Sequence, residues 1–189
     1  IHSVNHLLQH ALAAGERIFD VLDAKPAVPD EGHLRPDQPR LSGKVEWKDM
    51  AFAYRPEMPV YQHLSLVVEP GEHIALVGPS GVGKSTLMKL LFRYYDVGAG
   101  AIELDGYDIR DLPLSYLREQ IGFVQQEPFL FNGTVRDNLA YGDLSAVHDR
   151  IEAVARAAQA HEFIQALPER YDTWIGERGV KLSVGQKQR

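Results

Sequence analysis

The stretch Gly78-Pro79-Ser80-Gly81-Val82-Gly83-Lys84-Ser85-Thr86 sets three glycines ahead of a lysine and two hydroxyls, the residue types that bind a nucleoside triphosphate. Glycines let the backbone curl so that successive N–H groups point inward at phosphate oxygens. A helix opening near Lys84 adds the positive end of its dipole. Lys84 can reach the β- and γ-phosphates, and the Ser85 hydroxyl can ligate Mg2+. The pattern G-x-x-x-x-G-K-[ST] is complete, with a short apolar strand expected at Ile74–Val77 and a helix after it. Alone, such a loop does not separate a kinase, a GTPase and a motor ATPase.

About a hundred residues later, Leu182-Ser-Val-Gly-Gln-Lys-Gln-Arg189 carries a second anion-seeking feature. Ser183 followed three residues on by Gln186 is a capping box, so a helix begins there with its orphan N–H groups facing outward. A nucleotide needs only one cradle, so this second end is expected to serve a nucleotide held by another copy's loop. Capping logic also allows a routine capped helix.

The elements that must position these groups follow from periodicity. Residues 1–23 place Ile1, Val4, Leu7, Leu8, Ala11, Leu12, Ile18, Phe19 and Leu22 near one helical stripe, with Gly15 a weak point. Residues 25–43 contain Pro26, Pro29, Pro36 and Pro39 among polar neighbours and read as a linker. Short strands come next: the alternating VEWKDMAFAY, the compact LSLVV and HIALV, and AIELDGYDI with its Asp105-Gly106 hairpin turn. The Ala-rich stretch Ser145–Leu167 is helical. Strands alternating with helices give an α/β domain with an attached helical region. His2, His6 and His10 share one helical face, but the outer two lie ~12 Å apart along the axis and cannot share an ion, so a solvated polar face is expected.

With 44% hydrophobic and 24% charged residues, the 189-residue chain has the composition of a globular domain. A net charge of −6 with no basic block argues against a nucleic-acid partner. The absence of cysteine excludes disulfides and thiolate metal sites. No run approaches the ~18 apolar residues of a membrane span.

These motifs resemble, in order, those of the nucleotide-binding domain of an ATP-binding cassette (ABC) transporter of the exporter type. GPSGVGKST corresponds to the Walker A loop and LSVGQKQR to the signature. IGFVQQEPFLFNGTVRDNLAYG is similar to the exporter Q-loop, with Gln126 as its glutamine, and FAYRPEMPV to the A-loop region, with Tyr54 as the adenine-stacking aromatic. TWIGERGVKLS resembles the stretch ahead of the signature, where Glu177 and Arg178 would couple to intracellular loops or form a plain surface ion pair.

The resemblance implies a P-loop ABC-type ATPase fold with an antiparallel β subdomain and a helical subdomain: residues 1–24 continue from the last membrane helix, 25–43 link, and 44–189 are the N-terminal portion of the domain. ATP would be held by Tyr54, by the loop from Gly78 through Pro79, Ser80, Gly81, Val82, Gly83, Lys84 and Ser85 to Thr86, and by Gln126. Mg2+ would be ligated by Ser85 and Gln126, with Lys84 and Gln126 acting in catalysis. A second nucleotide-binding domain, paired head to tail, would receive Ser183, Gly185 and Gln186 on its ATP, and the transmembrane domain of the same transporter would be driven from the cytoplasmic face of the membrane. A non-hydrolysing ATP-dependent dimerisation module and a soluble ABC-type ATPase are the competing readings.

Two departures stand out. Val184 occupies the position where the signature usually has its first glycine, an outlier if that position needs a positive φ and a modest loss of propensity if it is helical. The apolar strand ending in Asp-Glu that supplies Walker B and the catalytic glutamate is absent from this sequence, and so is the switch histidine. The chain is therefore expected to be a piece of a longer polypeptide, inactive in hydrolysis by itself.

Overall fold

The computed structural model describes residues 12, 14–26, 28–38, 40–126, 128–176 and 182–189. The chain forms two compact units, divided after Gly122.

In the first unit a helix, α1, covers residues 14–22 and runs through Gly15. Its apolar stripe is left outward: Ile18, Phe19 and Leu22 are all exposed. The proline-rich stretch after it has no helix or strand among its described residues but is held in place. Val28 is buried, Arg93 donates to the Pro29 carbonyl, Asp30 accepts from the Leu114 amide, and the Leu34 amide donates to the Asp111 carbonyl.

Strands β1 (Val45–Arg55) and β2 (Met58–Val68) form a long antiparallel hairpin turning at Pro56-Glu57. β3 (Ala99–Leu104) pairs with the other edge of β1, and β4 (Tyr107–Asp108) closes a four-stranded antiparallel sheet of order β2-β1-β3-β4. The β3–β4 hairpin turns where the sequence places it, with φ of 53° at Asp105 and 84° at Gly106, as a two-residue hairpin requires. The Asp105 carboxylate also accepts from the Ser42 amide and hydroxyl and from the Gly43 and Lys44 amides, pinning the chain just ahead of β1.

Helix α2 (Lys84–Leu91) buries Thr86, Leu87, Leu90 and Leu91 on one face. Leu87, Leu90 and Leu91 join the core of Trp47, Met50, Phe52, Ile102 and Leu104 from the sheet and Leu117 from α3 (Leu114–Glu119). The strand expected at Ile74–Val77 is not formed. A parallel-type apolar strand needs neighbours on both sides, and among the described residues none pairs with it; Val77 is 92% exposed.

The second unit is helical: α4 (Val135–Leu139), α5 (His148–Ala157), α6 (His161–Gln165), a 3-10 turn at Arg170–Asp172 and α7 (Val184–Gln188). The expected helical stretch Ser145–Leu167 is thus two helices, broken where Gln159 takes a φ of 58°. Val135, Ile151, Ala155, Ala160, Ile164, Tyr171 and Ile175 make the core of this unit.

Candidate nucleotide-binding site

The loop into α2 is built on glycine torsions that side chains resist. Gly81 and Gly83 have φ of 85° and 108°, outside the regions open to L-residues. Gly83 is the N-cap and is buried; a Cβ there would lie 2.9 Å from both Tyr61 Oη and Val60 Cγ1. The Gly83 carbonyl accepts from the Thr86 and Leu87 amides at 2.7 and 3.1 Å, which starts the helix. Among the described residues, the Lys84 and Ser85 amides have no such partner. They are the orphan donors of a helix start, at the positive end of its dipole.

Lys84 folds back onto the loop. Its Nζ donates to the carbonyls of Gly78 and Pro79, each at 2.7 Å. The ammonium thus sits inside the curl of the loop, held by weak neutral acceptors that an anion would displace. Ser85 is exposed in the first turn.

Beside the loop, a cavity of about 450 Å³ is lined by Tyr54, Arg55, Met58, Pro59, Val60, Gly81 and Val82. Tyr54 is 45% exposed. Its ring is held edge-on by Phe52 (centroids 4.9 Å apart) and Tyr95 (5.1 Å), and its hydroxyl donates to Thr86 Oγ1 at 3.1 Å. That places an aromatic face and the phosphate loop on one cavity, with apolar walls suited to a base. Within the first unit, then, Tyr54 and the loop residues 78–86 converge.

The second unit assembles the remaining candidates. Ser183 caps α7 in both senses: its hydroxyl accepts from the Gln186 amide (3.2 Å), and its amide donates to Gln186 Oε1 (2.9 Å). Ser183, Val184 and Gly185 are exposed. The far end of α7 reaches the Gln126 segment, where Gln188 Nε2 donates to the Gln126 carbonyl at 3.1 Å.

The family model for the ABC transporter matches residues 61–189. The chain belongs to the ABC transporter family. It is 47% identical over 187 residues to an ATP-dependent lipid A-core flippase of Syntrophus aciditrophicus, which covers 99% of this chain and 31% of that protein. A fatty acid ABC transporter ATP-binding/permease protein of Mycobacterium bovis is 45% identical over 181 residues, 96% of this chain and 28% of the relative. Among solved structures, a bacterial Atm1-family ABC exporter with ATP bound superposes with a TM-score of 0.83 at 37% identity, over 95% of this chain and 31% of that one. The chain therefore spans under a third of the length of these relatives and corresponds to part of the nucleotide-binding domain of an exporter. No helix among the described residues is long and apolar enough to cross a membrane.

For an ABC domain the Val184 substitution matters less than a strained position would make it. Val184 opens α7 and is not among the residues with positive φ, so it carries only the propensity and crowding terms of a β-branched residue. Glu177, Arg178 and the histidines of residues 1–10 lie outside the described residues. Two contacts at the site had no signal in the sequence: Tyr61 on Gly83 and Gln188 on Gln126. A tyrosine in a strand reads as packing, and a main-chain acceptor leaves no mark in the residue types.

Proposed function

We propose that this chain is the ATP-binding part of a membrane exporter, taking Mg-ATP at the Gly78–Thr86 loop and powering transport in the whole protein by hydrolysis. The observation that carries this reading is the Lys84 ammonium resting on the Gly78 and Pro79 carbonyls inside the curl of the loop. Exchanging two neutral acceptors for phosphate oxygens makes both partners of each hydrogen bond charged, which strengthens it further. The Lys84 and Ser85 amides add donors that need no reorganisation. Tyr54 offers its exposed face to adenine across the adjoining cavity.

The donor set fits Mg2+ rather than a protein-caged metal. Among the described residues there is no group of three or more His, Cys, Asp or Glu side chains able to hold an ion, whereas Mg2+ keeps waters and binds through few protein oxygens plus substrate phosphates. Ser85 would hold it here, with Gln126 as the second ligand. The bound ion would neutralise charge developing on the phosphate oxygens.

In the whole protein, Ser183, Gly185 and Gln186 would face the nucleotide of a second domain paired head to tail. The exposure of Ser183 and Gly185 and the capped start of α7 support that role. The transmembrane domain of the same polypeptide would be the mechanical partner, and the domain would lie on the cytoplasmic face of the membrane. The test is ATP titration of the full-length polypeptide carrying Lys84→Ala. Affinity is expected to fall at least about tenfold, equivalent to roughly one charge-assisted contact, with turnover lost. Unchanged affinity would refute the assignment of the loop.

A further inference from the structure

Two phenols of the β1–β2 hairpin reach the phosphate loop. Tyr54 bonds the Thr86 side chain, whereas Tyr61 Oη donates to the Gly83 carbonyl at 2.9 Å, on the peptide that joins the loop to α2. We propose that Tyr61 is a positioning residue for the triphosphate: its hydroxyl latches the Gly83–Lys84 peptide so that the Lys84 amide faces the phosphates. This rests on the loop's being an ATP site.

The peptide is trans, so its C=O and N–H point in opposite directions. Fixing the Gly83 carbonyl on the α2 side therefore fixes the Lys84 N–H toward the open end of the loop. Gly83, at φ 108° and ψ −4°, has no side chain to narrow its torsional well. The Thr86 and Leu87 amides hold the carbonyl from within the helix. They belong to α2 itself, and Tyr61 supplies a bond from a different element.

That outside point is tied to the core. Tyr61 lies in the half of β2 nearer the hairpin turn, paired with the buried Phe52 of β1 between two register irregularities, and its ring packs against the core of the first unit. Burial raises the pKa of its hydroxyl, so it remains a donor at neutral pH. Glycine and phenol are also matched in space, since a Cβ at residue 83 would meet Tyr61 Oη at 2.9 Å. The ligand chemistry served is the polyphosphate, with no role in the base.

Tyr61→Phe removes the hydroxyl and keeps the ring. In the full-length polypeptide, competition against a fluorescent ATP analogue would be read with three competitors: ATP, inorganic tripolyphosphate and adenosine. Loss of one neutral hydrogen bond predicts about three- to tenfold weaker binding of ATP and of tripolyphosphate alike, with adenosine unchanged. In turnover, KM for ATP is expected to rise by the same factor while kcat holds. ATP binding unchanged in Tyr61→Phe overturns the latch. Equal weakening of all three competitors also overturns it, since that is the mark of a general packing defect. A wild-type protein that binds no ATP would take down the reading of the site itself, and the latch with it; Lys84→Ala separates the two cases.

Discussion

Alanine at the loop glycines should weaken ATP binding in an order set by two different costs. At Gly83 both apply. A φ of 108° is foreign to an L-residue, a strain of about 1–2 kcal/mol. The new Cβ would also lie 2.9 Å from Tyr61 Oη, 2.9 Å from Val60 Cγ1 and 3.1 Å from Tyr61 Cζ, an overpacking of about 1–3 kcal/mol. Both side chains belong to a paired strand and yield little. The free loop can relieve the strain by opening, but the nucleotide-bound loop cannot, so the cost appears in affinity. About 2 kcal/mol, the low end of the sum, already means roughly 30-fold. At Gly81 only the first cost applies: φ is 85°, and a Cβ would meet nothing within 4 Å, which predicts about 1–2 kcal/mol, or some five- to thirtyfold. Gly185, exposed on α7 with no atom near its Cβ position, should gain up to ~1 kcal/mol in helix stability on going to alanine. Equilibrium titration of the two full-length loop variants with a fluorescent ATP analogue reads the order directly. Gly83→Ala within threefold of wild type, or weakened less than Gly81→Ala, would refute the reasoning. Adding Tyr61→Phe to Gly83→Ala should recover only part of the loss, because Val60 Cγ1 and the ring carbon still crowd the site.

Asp105→Asn tests the turn that pins the start of β1. Desolvation pushes the Asp105 carboxyl up, but the Ser42 hydroxyl and the amides of Lys44, Ser42 and Gly43 together hold it below its ordinary value. A depressed native pKa gives stability that is present above the ordinary aspartate range and lost as pH falls through the native value. Replacement should cost about 2 kcal/mol at neutral pH, with the difference from wild type shrinking on acidification in thermal melts; a pH-independent difference would exclude the carboxylate as its source. Ser183→Ala removes the hydroxyl half of the capping box at α7, a loss of about 1 kcal/mol. Hydrogen exchange of the α7 amides should quicken about fivefold, and exchange at the wild-type rate would show that α7 does not depend on its cap.

What could be read from the residues was what is decided locally. The Asp105-Gly106 turn, the Ser183–Gln186 box and the phosphate loop each depend on torsions or side-chain reach within a few positions, and each forms in the structure. The Ile74–Val77 run shows the limit of that logic: apolar content announces a buried strand, yet a strand is a relation between segments, and among the described residues this one has no partner. The proline-rich stretch shows the same limit from the other side. Its composition reads as a connector, and nothing in Pro29 or Asp30 announces that one carbonyl will accept a hydrogen bond from the buried Arg93 or that one carboxylate will cap α3. Leu41 then donates to Gln120, at the other end of α3. The stretch is thereby tied to both ends of one helix, and through Arg93 to the residues just after α2, the helix that begins with Lys84. Because the stretch contributes main-chain atoms to these bonds except at Asp30, a change of side chain within it would leave most of the ties in place. Removal of Arg93 would break the tie to the Pro29 carbonyl together with its bonds to Asp96 and to the Arg110 carbonyl. The link from the proline-rich stretch to the residues just after the phosphate-loop helix thus runs through a residue that no motif marks.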